Sequence, residues 1–197
     1  KNEFKNFFEI DKNIKVIFNL AESVDIKIWI VGGALRDYFI NQEVTDIDFV
    51  INEDIKKFTK KISVNNVKVN DTYIKYKTIS LIINENEYHI TSFRKDLISF
   101  GRTAFVDNAL SLKEDVKRRD FTINSLYLDS QGNLIDLING KHDINIRKLA
   151  FIGDPIERIE EDYLRIIRFC RFSGNFYNNI SENLKKEIIL RVPKIIN

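Results

Sequence analysis

The segment "VGGALRDYFINQEVTDIDFV", which covers residues 31–50, is the most informative part of the sequence about the fold. It continues the apolar run "KIWIV" (27–31), which predicts a buried strand, and Gly32 and Gly33 end that strand. "ALRDYFI" then has the spacing of a short helix, and "DIDFVI" (46–51) predicts a second strand. A strand, a glycine turn, a helix and another strand in close succession predict one α/β unit.

The flanking sequence adds further elements to this unit. Residues 4–22 space their apolar groups like an amphipathic helix, and residues 53–61 predict another helix. "NVKVN", "KTISLII" and "EYHITSFR" predict three more strands. Residues 95–117 are polar and mixed, which predicts a mobile loop, whereas "GDPIERIEEDYLRIIRFCRF" (153–172) is helical in pattern.

Composition limits the class of protein. The chain has 197 residues, of which 44% are hydrophobic and 30% charged, which is typical of a globular protein with a sizeable core. We expect an α+β fold, with a mixed sheet flanked by helices over residues 1–150 and an all-α segment over 151–197. The net charge of +2 is too small for a strongly basic nucleic-acid binder, so any RNA contact must come from a local patch.

Cysteine use and hydropathy point to a compartment. Cys170 is the only cysteine, which excludes an internal disulfide and is typical of the reducing cytoplasm. No apolar run is long enough to cross a bilayer, so we expect no membrane association.

The glycine turn is a candidate anion site. A strand that ends in Gly32 and Gly33 and opens a helix exposes backbone N–H groups, and glycine lets a phosphate approach the main chain. The alternative is a tight turn that only requires small residues.

Two carboxylates follow the turn. Asp46 and Asp48 are two residues apart, so on a strand both side chains would point to the same face. Convergent carboxylates suit Mg²⁺, whose shell is commonly completed by phosphate oxygens and water. The alternative is that the two carboxylates only mark the solvated end of a strand.

The segment "KRRDFTIN" (117–124) is a third candidate. Arg119 could pair with phosphate, and Asp120 with Asn124 could hydrogen-bond a ribose hydroxyl. An N-capped short helix with a surface charge cluster is the alternative.

The fourth candidate is "EDYLRIIRFCR" (161–171). On a helix, Asp162 and Arg165 are neighbours at i,i+3, and Arg168 lies one turn further. A salt-bridged helix face would account for the same spacing. The apolar residues of this helix are predicted to face the core: Leu164, Ile167 and Cys170.

A carboxylate and a guanidinium together could read a base edge. A carboxylate only accepts hydrogen bonds and a guanidinium only donates them. Cytosine and adenine present an amino donor beside a ring-nitrogen acceptor, whereas uracil and guanine present the reverse order. Asp162 with Arg165 could therefore select C and A through charge-assisted bonds and without a nucleic-acid template.

In order and spacing, these segments resemble the class II tRNA nucleotidyltransferases (CCA-adding enzymes) and the related bacterial poly(A) polymerases. The resemblance covers roughly residues 28–174. It rests on "VGGALRD", "DIDFV", "RRDFTIN", "DLING" and "GDPIERIEEDYLRIIRFCRF". It implies a polymerase-β-like nucleotidyltransferase head over 1–150 and the start of a helical neck over 151–197. The family's body and tail domains would be absent, so a missing domain or a second chain would have to bind the tRNA.

The resemblance also implies roles for individual residues. The triphosphate would be bound at the first motif, by Gly32, Gly33, Arg36 and Asp37. The catalytic metals would be held by Asp46 and Asp48. The incoming nucleotide and its ribose would contact Arg119, Asp120 and Asn124. The base would be recognised by Asp162, Arg165 and Arg168, and a hinge for head movement would lie at Asp136 and Gly140.

The reaction implied is attack of the tRNA 3′-hydroxyl on the α-phosphorus of CTP or ATP, with release of pyrophosphate and two Mg²⁺ ions as cofactors. Poly(A) addition to RNA is one alternative, although the chain lacks a "GRRFR"-like segment. A non-catalytic nucleotide-binding or RNA-binding subunit is another, and the intact Asp46 and Asp48 count against it.

One position departs from the family pattern. His89 stands where the family often has glutamate before its "TTFR" segment. Glu87 lies two residues earlier, on the same strand face, and could substitute. The alternative is a neutral His89 packed at the edge of the sheet.

Overall fold

The computed structural model describes residues 4, 6–62, 67–100, 103–108, 111–178 and 180–195. Its strands are β1 (Ile28–Val31), β2 (Asp48–Ile51), β3 (Lys68–Asn70), β4 (Thr78–Ile83), β5 (Asn86–Ser92), β6 (Arg94–Phe100), β7 (Thr103–Asn108), β8 (Leu126–Leu128) and β9 (Leu134–Asp136). Its α-helices are α1 (Asn13–Ser23), α2 (Gly33–Phe39), α3 (Ile55–Ile62), α4 (Leu112–Arg118), α5 (Gly140–Asn145), α6 (Pro155–Glu161), α7 (Leu164–Ser173) and α8 (Glu182–Arg191). Single 3₁₀ turns occur at Phe7–Glu9, Ile74–Tyr76, Thr122–Asn124 and Val192–Ile195.

Seven strands form one mixed sheet in the order β3-β4-β5-β2-β1-β8-β9. The pairing of β2 with β5 is parallel, and the other pairs are antiparallel. The mixed sheet flanked by helices agrees with the expected α+β class. Among the helices of the described residues, none is both long and apolar enough to span a bilayer.

The main core lies between this sheet and the N-terminal helices. The Phe18 ring on α1 packs edge-on against Phe49 on β2, with ring centroids 5.8 Å apart. On α3, Ile55, Phe58 and Ile62 are buried at the i, i+3 and i+7 spacing of an amphipathic helix. A smaller cluster includes Trp29 stacked on Phe93.

An aromatic cluster attaches the C-terminal helices to the sheet domain. Phe151 stacks on Phe169 of α7 with centroids 5.6 Å apart, and Phe121 lies edge-on to Phe172 at 5.7 Å. Each aromatic pair contributes about 0.5–1.5 kcal/mol beyond its buried area. Because Phe121 belongs to the "RRDFTIN" segment, this cluster holds α7 against the predicted ribose-binding residues.

Three predicted elements differ from the structure in their bounds or type. The helix predicted over 4–22 begins only at Asn13, where the Asp11 side chain accepts the Asn13 N–H at 2.8 Å. The loop predicted over 95–117 contains the antiparallel pair β6–β7 and then α4. Its polarity was misleading, because a hairpin is held by main-chain hydrogen bonds whatever its side chains. Residues 101, 102, 109 and 110 of that stretch lie outside the described residues.

The helix predicted over 153–172 is interrupted at Asp162. That residue is extended (φ −156°, ψ 103°), and its carboxylate accepts the N–H of Leu164 at 3.0 Å. Such a local bond competes with helical geometry. The predicted core positions are also wrong, because a different face of α7 is buried: Ile167 is 52% exposed, Cys170 is exposed and Leu164 is half-buried. The buried residues of α7 are instead Arg165, Ile166, Phe169 and Phe172.

Candidate active site

The glycine turn joins β1 to α2 in a conformation that requires glycine. Gly32 has φ +82° and ψ −128°, which L side chains rarely adopt. Its N–H donates to the Leu126 carbonyl of β8 at 3.2 Å, which ties the turn to the sheet. A Cβ at Gly32 would lie 3.8 Å from Nη1 of Arg119, so the turn and this guanidinium face each other.

The two carboxylates lie next to the turn. β2 begins at Asp48, so Asp46 precedes the strand, contrary to the prediction that both lie on it. Residues 46–49 are alternately exposed and buried, which keeps both carboxylates on one side of the chain. Both line a cavity of about 700 Å³, called here the nucleotide cavity. Its walls also include all the residues predicted to contact the nucleotide: Gly32, Gly33, Arg36, Asp37, Arg119, Asp120, Asn124, Asp162, Arg165 and Arg168.

A chain of hydrogen bonds connects three of the motifs along the wall of this cavity. Arg36 donates twice to the carboxylate of Asp37, at 2.8 Å each, and once to Oδ1 of Asn124 at 2.6 Å. Asn124 donates through Nδ2 to Oδ1 of Asp120 at 3.2 Å. Oδ2 of Asp120 accepts from Nε of Arg168 at 2.5 Å. The wall is therefore preorganised by residues that lie far apart in sequence.

Asp120 is ionised by its surroundings. Burial by itself raises its pKa, but the Arg168 charge and the hydrogen bonds from Arg168, Asn124 and the Phe121 N–H lower the pKa below its usual value. The carboxylate thus remains an acceptor at neutral pH.

Arg119 is held by a buried pair that the sequence reading missed. Its guanidinium donates to Asp115 at 2.8 Å and to the Tyr127 hydroxyl at 3.0 Å. Arg118 donates to the other oxygen of Asp115 at 2.7 Å. Although burial raises the pKa of Asp115, the two guanidiniums lower it to about 2. The i,i+4 spacing of Asp115 and Arg119 was a usable signal, but Asp115 lay in the stretch predicted to be a loop.

The predicted base-reading residues line the cavity without pairing with each other. Nη1 of Arg165 donates to Glu161 at 2.7 Å and to the Arg158 carbonyl at 2.6 Å. One oxygen of Asp162 accepts the Leu164 N–H. Glu161, which the sequence reading did not single out, therefore orients Arg165.

Asp136 and Gly140 form a tight corner rather than a part of the cavity wall. Asp136, at the end of β9, accepts the N–H groups of Gly140 and Lys141 at 2.9 Å each. A Cβ on Gly140 would lie 2.3 Å from the Thr122 carbonyl oxygen, so only glycine allows this approach. The predicted hinge thus packs directly against the turn that carries Asn124; its movement stays a prediction.

His89 lies beside the carboxylates. β5 lies between β4 and β2, so the alternative of a histidine at the sheet edge is wrong. Nδ1 of His89 shares a hydrogen bond with Ser80 at 3.0 Å. Burial raises the pKa of Asp48, while the charges of His89 and Arg119 act to lower it. Within the described residues, no three metal-binding side chains are clustered, so a cation here would need substrate oxygens as further ligands.

Comparison with known proteins identifies the family to which the chain belongs. The family profile described as "Poly A polymerase head domain" matches residues 28–150. The CCA-adding enzyme of Enterococcus faecalis is 34% identical over 92% of this chain and 42% of its own length. The human mitochondrial CCA tRNA nucleotidyltransferase 1 is 34% identical over 87% of this chain and 39% of its own length. The chain thus spans less than half the length of these curated relatives.

A solved structure confirms the fold. The Bacillus stearothermophilus CCA-adding enzyme in complex with CTP superposes with a TM-score of 0.78 at 26% identity, over 92% of this chain and 43% of that one. The polymerase-β-like head predicted from the motifs is therefore confirmed, whereas the boundary at residue 150 stays a prediction. With its sheet domain matched in sequence and in structure, the chain belongs to the poly A polymerase head domain family.

Proposed function

We propose that this chain is the nucleotidyl-transfer part of an enzyme that adds C and A to the 3′ end of tRNA from CTP and ATP. The observation that carries the proposal is a single cavity that contains the glycine turn, Asp46 with Asp48, and Asp162 with Arg165. Phosphate, metal and base recognition thus converge on one volume. The names of its relatives, which are CCA-adding enzymes and a CCA tRNA nucleotidyltransferase, support the same reaction.

In the proposed reaction the oxygen of the RNA 3′-hydroxyl forms a bond to the α-phosphorus, and the bond from that phosphorus to pyrophosphate breaks. Asp46 and Asp48 would hold divalent cations, which we propose to be two Mg²⁺. Such ions neutralise the triphosphate and favour ionisation of the hydroxyl when bound. The exposed carboxylates on one side of the chain fit that role, because Mg²⁺ binds one or two carboxylates together with substrate phosphates.

The chain's own residues would position the nucleotide. Gly32 and Gly33 would let the triphosphate approach the backbone beside Arg119, with Arg36 and Asp37 supporting the turn. Arg119 keeps its charge within a buried network, so it would stabilise the phosphate oxygens without reorganising.

The wall formed by Asp120 and Asn124 would orient the ribose, and Arg168 would support that wall. Asp162 and Arg165 would read the base, with Glu161 fixing the guanidinium. C and A offer the donor and acceptor order that this pair can match.

A primer-extension assay tests the proposal. The purified chain, Mg²⁺ and tRNA transcripts ending at the discriminator base, at C or at CC are supplied with one labelled nucleoside triphosphate at a time. We expect addition of C, C and A followed by arrest. Asp25→Asn is a matched control, because Asp25 is exposed, lies outside the cavity and has a left-handed backbone that asparagine tolerates.

Two other outcomes decide between alternatives. A long adenylate ladder would assign the chain to poly(A) addition, the candidate that the family description favours. Binding of CTP and ATP without growth would favour the non-catalytic alternative, or a requirement for another domain or chain. The cytoplasmic location suggested by the lone Cys170 stays a prediction.

A further inference from the structure

A second cavity, called here the acceptor cleft, also reaches Asp48. It has a volume of about 740 Å³ and shares Asp48, Arg118 and Arg119 with the nucleotide cavity. Its other walls come from strands β1 to β5 and from the segment between β3 and β4, whereas only the nucleotide cavity is bounded by α2 and α7. Asp48 therefore borders two cavities that meet at β2 and extend into different parts of the fold.

In-line transfer needs access to the α-phosphorus from two opposite sides. The attacking hydroxyl must approach the α-phosphorus opposite the departing pyrophosphate. If the nucleotide cavity holds the triphosphate and the base, the hydroxyl must reach Asp48 from elsewhere. The acceptor cleft supplies that approach.

We propose that the acceptor cleft binds the terminal nucleotide of the RNA and that Tyr73 stacks on its base. This inference rests on the proposed function. Tyr73 is 49% exposed, although tyrosine has a large apolar ring. Exposed aromatic rings in such a groove are the usual platforms for single-stranded bases.

The backbone holds Tyr73 in place. Its carbonyl accepts the N–H groups of Tyr76 at 2.9 Å and of Thr78 at 3.3 Å. On the preceding side, Oδ1 of Asn70 accepts from both the N–H and the hydroxyl of Thr72. These bonds order the backbone at Tyr73, so stacking has to order only the side-chain torsions of the ring, which favours binding.

The remaining walls fit a nucleotide whose base is not specified. Arg118 and Arg119 share the single carboxylate of Asp115, which leaves positive charge for a terminal phosphodiester. The rest of this wall is polar, with His89 and Thr91, and Glu87 adds a carboxylate to it. Stacking tolerates every base, because each has a π-face. That tolerance suits an acceptor whose last base changes after each addition, whereas a hydrogen-bonded pocket would select only one.

A fluorescent acceptor tests the cleft independently of transfer. The probe is a short RNA that ends in 2-aminopurine without a 3′-hydroxyl, mixed with the intact chain at low salt. We expect binding to quench the terminal base and Tyr73→Ala to abolish the quenching. The Kd, measured separately by the anisotropy of a dye on the 5′ end of the same RNA, should rise about tenfold. Tyr73→Phe should retain both because it keeps the ring. Tyr177→Ala is the control, since Tyr177 is 63% exposed and lines neither cavity.

Steady-state kinetics provide the second readout. Tyr73→Ala should raise the KM for RNA about tenfold and leave the KM for CTP unchanged. The inference would be overturned if the Tyr73→Ala variant quenched the probe as strongly as the unmodified chain. It would also be overturned if the unmodified chain did not bind the probe. Quenching that depends on Tyr73 in a chain that transfers no nucleotide would support the cleft and count against transfer by this chain alone.

Discussion

Nε of Arg168 on α7 lies 2.5 Å from Oδ2 of Asp120 in the "RRDFTIN" segment, 48 residues earlier in the chain. The same carboxylate accepts from Asn124 and from the Phe121 N–H. This pair joins the helical segment, which carries the proposed base-reading residues, to the wall that would hold the ribose.

Breaking this pair should destabilise the fold and slow transfer. Asp120 is almost buried, so Arg168→Ala leaves a desolvated carboxylate with one fewer partner. We expect a loss of about 1–3 kcal/mol in the free energy of unfolding, measured by urea denaturation. Arg171→Ala is the control, because Arg171 stacks on Phe172 and has no ion pair among the described residues. Equal losses in the two variants would contradict the role of the pair.

Asp48→Asn should separate stability from activity. Although Asp48 is exposed at the cavity wall, the surrounding protein partly desolvates its carboxylate and raises its pKa. The folded state therefore disfavours the ionised form, and a neutral isostere removes that cost. We expect an unchanged or higher free energy of unfolding together with loss of transfer, whereas Asp25→Asn should retain transfer. Retained transfer in Asp48→Asn would show that this carboxylate is not a metal ligand.

Arg165→Ala should change which base is accepted. The guanidinium is positioned by Glu161, and one charge-assisted hydrogen bond to a base is worth about 1.5–3 kcal/mol. The ratio of kcat/KM for CTP to that for UTP should therefore fall at least about tenfold. Glu161→Gln should cause a smaller fall, because it keeps an acceptor but removes the charge. An unchanged ratio in both variants would rule out base reading by this residue.

The buried carboxylate of Asp115 should make the free energy of unfolding depend on pH in the acidic range. Its pKa is about 2 in the folded protein against 3.8 when unperturbed, so the folded state favours the ionised form. The resulting stabilisation, about 2 kcal/mol, is present above about pH 4 and disappears as the pH falls through about 2. The difference in unfolding free energy between the unmodified chain and Asp115→Asn should shrink over this range. A difference independent of pH would contradict the assignment.

Gly140→Ala should be destabilising where a comparable change is not. The added Cβ would lie 2.3 Å from the Thr122 carbonyl oxygen, so the backbone must move, at a cost of about 1–3 kcal/mol. Gly174→Ala is the matched control, because its Cβ would lie 3.8 Å from the nearest atom and its φ of −62° suits alanine. Thermal denaturation of both variants measures the difference. Similar midpoints of thermal unfolding in the two variants would show that the backbone at Gly140 can move at little cost.

Local patterns predicted the elements where neighbouring residues alone decide the structure. The strand–glycine–helix–strand unit is one example, because apolar runs and the positive φ of Gly32 depend on nearby residues. The predictions failed where a single side chain or a distant partner intervenes. The carboxylate of Asp162 ends a helix that periodicity would continue. Stacking of Phe169 on the distant Phe151 selects the buried face of α7, and Cys170 lies outside that face.

The site, too, was only partly predictable from local patterns. The motifs identified the residue types and their order, and every residue assigned to phosphate, metal, ribose or base lines one cavity. Their pairing was not readable, since Arg165 pairs with Glu161 rather than Asp162, and Arg119 is held by Asp115 and Tyr127.

Residue types and short-range spacing were enough to predict the α+β class, the glycine turn, the adjacent carboxylates and the family. The folded arrangement was needed to see which charges meet, as Arg168 and Asp120 do, and that Asp48 borders two cavities. Hydrogen bonds and ion pairs depend on distances of a few ångströms. Packing of the aromatic cluster sets those distances between segments that are remote along the chain.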